Sequence, residues 1–191
     1  MILASALAMS YRRLAKRLRA RGTSGSAAIE FAMVAPALFL FIFGVIETGV
    51  IFFAQTMLQN ATADTARQIR TGQLSGTLTA TQIKTSVCNE VDGLISPTDC
   101  QNNLMVDMRV YTSFSGASYP SVSNPDGSIN TADLQIQPAA DCDIVLLRTF
   151  YPWSIMTPLM TPFLETGSTG KSIMTSTAAF RTEPYTSSST C

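Results

Sequence analysis

The longest unbroken pattern in the chain is an apolar run over residues 31–54, interrupted only by Glu47 with Thr48 beside it. Wound as a helix, such a run extends about 36 Å at ~1.5 Å per residue, and a bilayer core of roughly 30 Å needs about twenty residues. The pattern therefore predicts one membrane span. Pro36 within it removes one helical hydrogen bond, and Gly44 and Gly49 leave room for close helix approach. The polar stretch that follows, 55–70, contains neither Pro nor Gly, while Met57, Leu58, Ala61, Ala66 and Ile69 are available there for contacts. Gly72 is the first stop signal. One long helix from about Ser26 to Thr71 is predicted, spanning the membrane with its first half and amphipathic in its second. Asp64 and Arg67, three apart, meet on its surface.

After a small-polar linker at 73–79, Thr79 or Thr81 caps a second helix that puts Ile83, Val87, Val91 and Leu94 on one face, and Pro97 ends it. Leu104, Val106, Met108 and Val110 then alternate with Met105, Asp107, Arg109 and Tyr111, the period-two pattern of a half-buried strand. Residues 113–133 are rich in Ser, Asn, Gly and Pro and predict a long surface loop with a turn at Asn124-Pro125-Asp126-Gly127. A second strand at 144–151 is broken by Pro152, and Pro158 and Pro162 bracket an irregular apolar loop around Met160. The last strand, 172–181, sets Ile173, Thr175, Thr177 and Ala179 opposite Met174, Ser176, Ala178 and Phe180; 186–190 is a polar tail. The expected fold is α+β: a long N-terminal helix carrying a small head with an antiparallel three-stranded sheet and a second short helix. The expected order is a leader (1–25), a transmembrane helix (26–54), its exported extension (55–72) and the head (73–191).

Charge orients this arrangement. Arg12, Arg13, Lys16, Arg17, Arg19 and Arg21 form a basic block with no acid before Glu30, whereas eleven acids face seven bases beyond Ala54. A basic flank on one side of a span marks the cytoplasmic side, so the head is expected to be periplasmic. Confined to the leader, the basic block does not read as a nucleic-acid surface. The apolar run is too long for the apolar core of a cleavable secretory signal, usually about 7–15 residues, and no small-x-small site closes its far side.

The four cysteines, Cys88, Cys100, Cys142 and Cys191, all lie beyond the span. In an oxidising compartment they allow two disulfides in three connectivities. The short loop between Cys88 and Cys100 favours that pair, leaving Cys142 with Cys191; free buried thiols are the alternative. Histidine is absent from the sequence, which removes Ser-His-Asp and Cys-His catalysis and histidine-based metal sites. Asp141 and Asp143 flank Cys142 and read as the solvated start of a strand rather than as a calcium site. Neither a phosphate-binding glycine loop nor a cofactor or metal motif is present, and no enzyme activity is expected.

The remaining chemistry sits where leader meets span. Gly25 has no Cβ and can lie close to a protease cleft, although a glycine there also serves as a plain hinge. Glu30 follows between Ile29 and Phe31, and a carboxylate at an apolar boundary gains much from a cationic partner, although a first-turn carboxylate is also favoured by the helix dipole. Glu47, deeper in the apolar run, either reaches the outer interface or meets a partner in an assembly, and the second is favoured because intramembrane carboxylates usually have one.

The segment Gly25-Ser26-Ala27-Ala28-Ile29-Glu30-Phe31 resembles the processing site of type IV prepilins. With Ala32-Met33-Val34-Ala35-Pro36 and the later Phe43-Gly44-Val45-Ile46-Glu47, it resembles the TadE-like pseudopilins of tight-adherence (Flp-type) pili, as does the ending Arg181-Thr182-Glu183-Pro184-Tyr185; the Glu30-Phe31 start and this ending favour TadE over its relative TadF. The resemblance implies that a prepilin peptidase cuts between Gly25 and Ser26 and that the leader stays in the cytoplasm. It also implies that Glu30, with Phe31 beside it, pairs with the N-terminal amine of a neighbouring subunit. The expected partners are then the bacterial inner membrane, the peptidase, other pilin-like subunits and tight-adherence assembly components. The competing expectation is a single-pass anchor that is never cleaved and presents a periplasmic interaction module.

Overall fold

A computed structural model describes residues 2–74, 78–184 and 191, with side chains from Gly25 onward. The leader's side chains, the middle of the 73–79 linker, Tyr185 of the C-terminal motif and the 186–190 tail therefore lie outside the described residues. Helix α1 covers Ile2–Arg70, so its start lies well before the predicted Ser26. The chain forms two compact units, Met1–Val45 and Ile46–Cys191.

Over residues 31–45 of the first unit the helix surface is apolar and mostly open: Phe31, Met33, Phe41 and Phe43 are exposed, and Phe39 stacks on Phe43 with centroids 6.2 Å apart. Gly25–Arg70 is, among the described residues, the helix long and apolar enough to cross a membrane.

In the second unit, α1 buries one stripe made of Ala54, Leu58, Ala61, Thr62, Thr65, Ala66 and Ile69. These positions fall three or four apart, so they line one face of the helix. The helix stops beyond Arg70 because Gly72 adopts φ 75° and turns the chain back, its N–H donating to the Ile69 carbonyl.

Helix α2 (Ala80–Glu90) starts in a reciprocal capping box between Thr79 and Gln82 and buries Ile83, Val87 and Cys88. It ends before Pro97. That proline instead opens α3 (Pro97–Asn103), where Ser96 caps the first turn and the missing proline N–H costs no helical bond.

Strands β1 (Met105–Tyr111), β2 (Ile144–Ser154) and β3 (Lys171–Arg181) form an antiparallel sheet in the order β1-β2-β3. The fold is thus α+β, with short α and 3₁₀ helices added to the long helix and sheet. Strand β2 runs through Pro152, contrary to the break expected there. Pairing with β1 ends at Phe150, so Pro152 has only β3 beside it and its lack of an N–H leaves no gap in a central ladder.

One sheet face carries Val106 and Met108, Val145, Leu147 and Tyr151, and Met174; these pack with the α1 stripe and the buried face of α2 in one core. Thr62 and Thr149 share a hydroxyl hydrogen bond of 2.7 Å inside it. Disulfides join Cys88 to Cys100, tying α2 to α3, and Cys142 to Cys191, holding the last residue near the start of β2.

The opposite face of the sheet is covered over β1 and β2, where the alternating pattern of β1 implied solvent, while Thr175, Thr177 and Ala179 of β3 stay exposed. Asp107 is fully buried and stands directly across from Arg148, whose guanidinium donates to it at 2.7 and 3.0 Å. Arg148 also reaches the Pro120 carbonyl, Arg109 the Asp133 carbonyl, and the Gln135 N–H donates to Asp107. The long loop after β1 is therefore pinned over this face. Its 135–137 segment also runs beside β1, exchanging hydrogen bonds with Met108 and covering an otherwise open strand edge.

Candidate functional site

Two groups of residues along α1 carry the polar chemistry of an otherwise apolar surface, one in each unit. In the first unit, Gly25 and Ser26 lie within helix, so the peptide bond between them is wound rather than extended. Among the described residues, its own helix backbone and chain neighbours aside, nothing comes within 4 Å of where a Cβ on Gly25 would stand. This glycine is therefore not required by packing. Its effect is local: a glycine in a helix interior is about 1 kcal/mol less favourable than alanine, which makes this turn one of the easier ones to open. One turn on, Ser26 donates its hydroxyl to the Glu30 carboxylate at 2.9 Å. Glu30 and Phe31 are both exposed, so a neighbouring molecule can reach them.

In the second unit, Glu47 is 2% exposed despite its apolar sequence setting. Its acceptors are engaged within the chain. The carboxylate takes the backbone N–H groups of Met156 and Thr157, the latter at 3.1 and 3.2 Å, from the turn that follows β2. Further along the same helix Gln55 donates to the Thr175 carbonyl of β3 at 2.7 Å. Thr65 and Gln68 meet Ser86 of α2, and Arg70 pairs with Glu183, whose N–H donates to the Arg70 carbonyl. The helix is thus held to the head by polar contacts from Glu47 to its last residue, alongside the apolar stripe.

The donors to Glu47 are backbone groups of an uncharged loop, and no side-chain pattern announces them. The Asp107–Arg148 pair was also missed, although a lone arginine in the apolar run Ile144–Tyr151 was a legible sign of a buried charge needing a partner.

Elsewhere the titratable groups serve the fold. Burial, and then the hydrogen bond and the negative charge of Asp99, push the Tyr151 phenol well above the ordinary tyrosine range. Gln68 and then Arg67 hold the Asp64 carboxyl below the usual carboxylate range, and Ser128 does the same for Asp126. Asp143 accepts the Ala140 N–H and so closes a local turn. Among the described residues no cluster of three or more His, Cys, Asp or Glu could hold a metal ion.

Residues 25–67 match the family model described as TadE-like protein. The match starts at Gly25 and ends within the buried stripe of α1, so it takes in Ser26, Glu30, Phe31 and Glu47 and stops before the sheet. That family is one of structural, pilus-related pseudopilins. No curated protein matches the chain, and no solved structure does.

Proposed function

We propose that this protein is a minor pilin or pseudopilin acting in assembly of tight-adherence (Flp-type) pili. The observation that carries the reading is the family match over the helix, which begins at the glycine where processing would occur. In this reading residues 1–25 are a cytoplasmic leader, 26–54 cross the bacterial inner membrane, 55–72 extend the helix, and 73–191 form a periplasmic head. A prepilin peptidase cuts between Gly25 and Ser26 after the helix opens at that turn. Ser26 then carries the new N-terminal amine, and Glu30, released from its hydroxyl donor, pairs with the amine of the next subunit. An amine and a carboxylate entering an apolar environment must be paired, which makes the contact both a lock and a register mark. The chain is a substrate of the peptidase and a structural partner of other pilin-like subunits, without catalysis of its own.

The test is the intact mass of membrane-extracted protein with and without co-expressed prepilin peptidase. A peptidase-dependent start at Ser26 is expected. An intact leader under both conditions would leave an uncleaved anchored interaction module. Because position 25 is open, Gly25→Leu should fold normally and remain full length, whereas Glu30→Ala should be cut nearly as well as the native chain and fail in pilus assembly. Normal piliation with Glu30→Ala would overturn the pairing.

A further inference from the structure

The connection between β2 and β3 has no counterpart in the reading above. From Pro152 to Leu164 it contains no charged residue. Three of its large apolar side chains face outward: Met156 is 64% exposed, Leu159 70% and Phe163 78%. A loop with a core available to it would normally turn such side chains inward, and contiguous exposed apolar surface marks a contact. This loop is also held in place. Glu47 accepts the N–H groups of Met156 and Thr157, which anchors the loop to α1 near the far end of the apolar run 31–54. On either side of Glu47 along the helix, Ile46, Phe52 and Phe53 are exposed as well.

We infer that residues 155–164 form a second membrane contact, a loop whose Leu159 and Phe163 enter the headgroup–acyl boundary of the outer leaflet. The inference rests on the single-span reading. About twenty residues suffice for the hydrocarbon core, so within the 26–54 span the stretch up to about Ile46 fills that core, and Glu47 with the loop it holds comes to the outer headgroup boundary. Lipid fits the loop better than a protein partner, because it lacks the charged rim that gives a protein interface its orientation, and a helix flank already open to lipid adjoins it. The head would thereby be fixed against the membrane surface at two points, and Glu47 would act as the latch that sets the depth of the second.

Trp153 is the chain's only tryptophan, so the contact can be read by fluorescence. The full chain carrying Trp153→Phe and Phe163→Trp is reconstituted in phosphatidylcholine–phosphatidylglycerol vesicles, with and without bromine on the acyl chains. Leu159→Trp serves as a second reporter should the first variant not fold, and Phe41→Trp reports on the span. The expected result is blue-shifted emission at positions 163 and 159, quenched at least twofold by bromine near the headgroup end and less by bromine at mid-bilayer. Aqueous iodide should quench these positions little. Iodide quenching without bromine quenching at the loop, while position 41 is quenched by bromine, would overturn the inference and leave the span intact. Loss of bromine quenching at all three positions would overturn both. Shielding of the loop that appears only at high protein-to-lipid ratio, without bromine quenching, would assign the surface to a protein partner and also overturn it.

Discussion

Two buried charged side chains show how single residues commit this chain. Glu47 can be buried in an apolar setting because two backbone N–H groups converge on it. Replacing it with Leu leaves those groups without an acceptor, at about 1–3 kcal/mol each. Glu47→Leu should therefore lower the unfolding midpoint of the detergent-solubilised protein clearly, whereas Glu47→Gln, which keeps an acceptor oxygen, should lower it less. Asp107 presents the reverse problem, an anion that needs cations around it. Arg148→Leu removes the closer guanidinium and should cost about 3–5 kcal/mol in denaturant unfolding, as expected for one partner lost from a buried pair. It should also free the loop around Pro120 to proteases. Removing Asp107 together with Arg148 is not expected to restore stability, because the Gln135 N–H would lose its acceptor and Arg109 the carboxylate it pairs with.

At the level of elements, the sheet depends on loops meeting closely. The turn at Asn124–Gly127 and the turn before β3 touch backbone to backbone, with Ser168 donating to the Asp126 carbonyl at 2.9 Å. Gly167 lies at φ 66°, and a Cβ there would stand 2.2 Å from the Asp126 carbonyl oxygen. Gly170 has nearly the same conformation, φ 67°, but no atom within 4 Å of its Cβ position. The left-handed backbone alone costs a non-glycine residue about 1–2 kcal/mol. Gly170→Ala should lose about that much, and Gly167→Ala distinctly more, since two loop backbones must separate. Equal losses in chemical denaturation would show that the close approach carries no weight.

For the whole molecule, the pH response follows from Tyr151. Its folded pKa lies above the ordinary 10.0, so the native state holds its proton where the unfolded chain has begun to lose it. The contribution to stability is fully present below about pH 10 and declines as pH rises from there toward the folded value. Thermal melts should therefore show a steeper alkaline loss for the native chain than for Tyr151→Phe, which lacks the titrating group. Equal slopes would mean that Tyr151 does not titrate differently on folding. The group links β2 to α3, so the head should loosen there first at high pH.

The elements and the polar motif of this protein were legible in its sequence because they rest on local rules. A long apolar run, the Gly72 stop, a threonine cap at 79 or 81 and the alternation in β1 and β3 each follow from contacts a few residues apart. Gly25, Ser26, Glu30 and Phe31 were visible for the same reason, as a short motif at a fixed spacing. The sequence left three cysteine pairings open while favouring one by loop length, and folding brings Cys142 beside Cys191 across 49 positions. Neither the burial of Asp107 nor the continuation of β2 through Pro152 could be read locally, since each depends on which strand or loop lies alongside. The same holds for Glu47, whose donors lie 109 and 110 residues away. Periodicity records which way a side chain points, but the partner it finds is set by chain segments that only folding brings together.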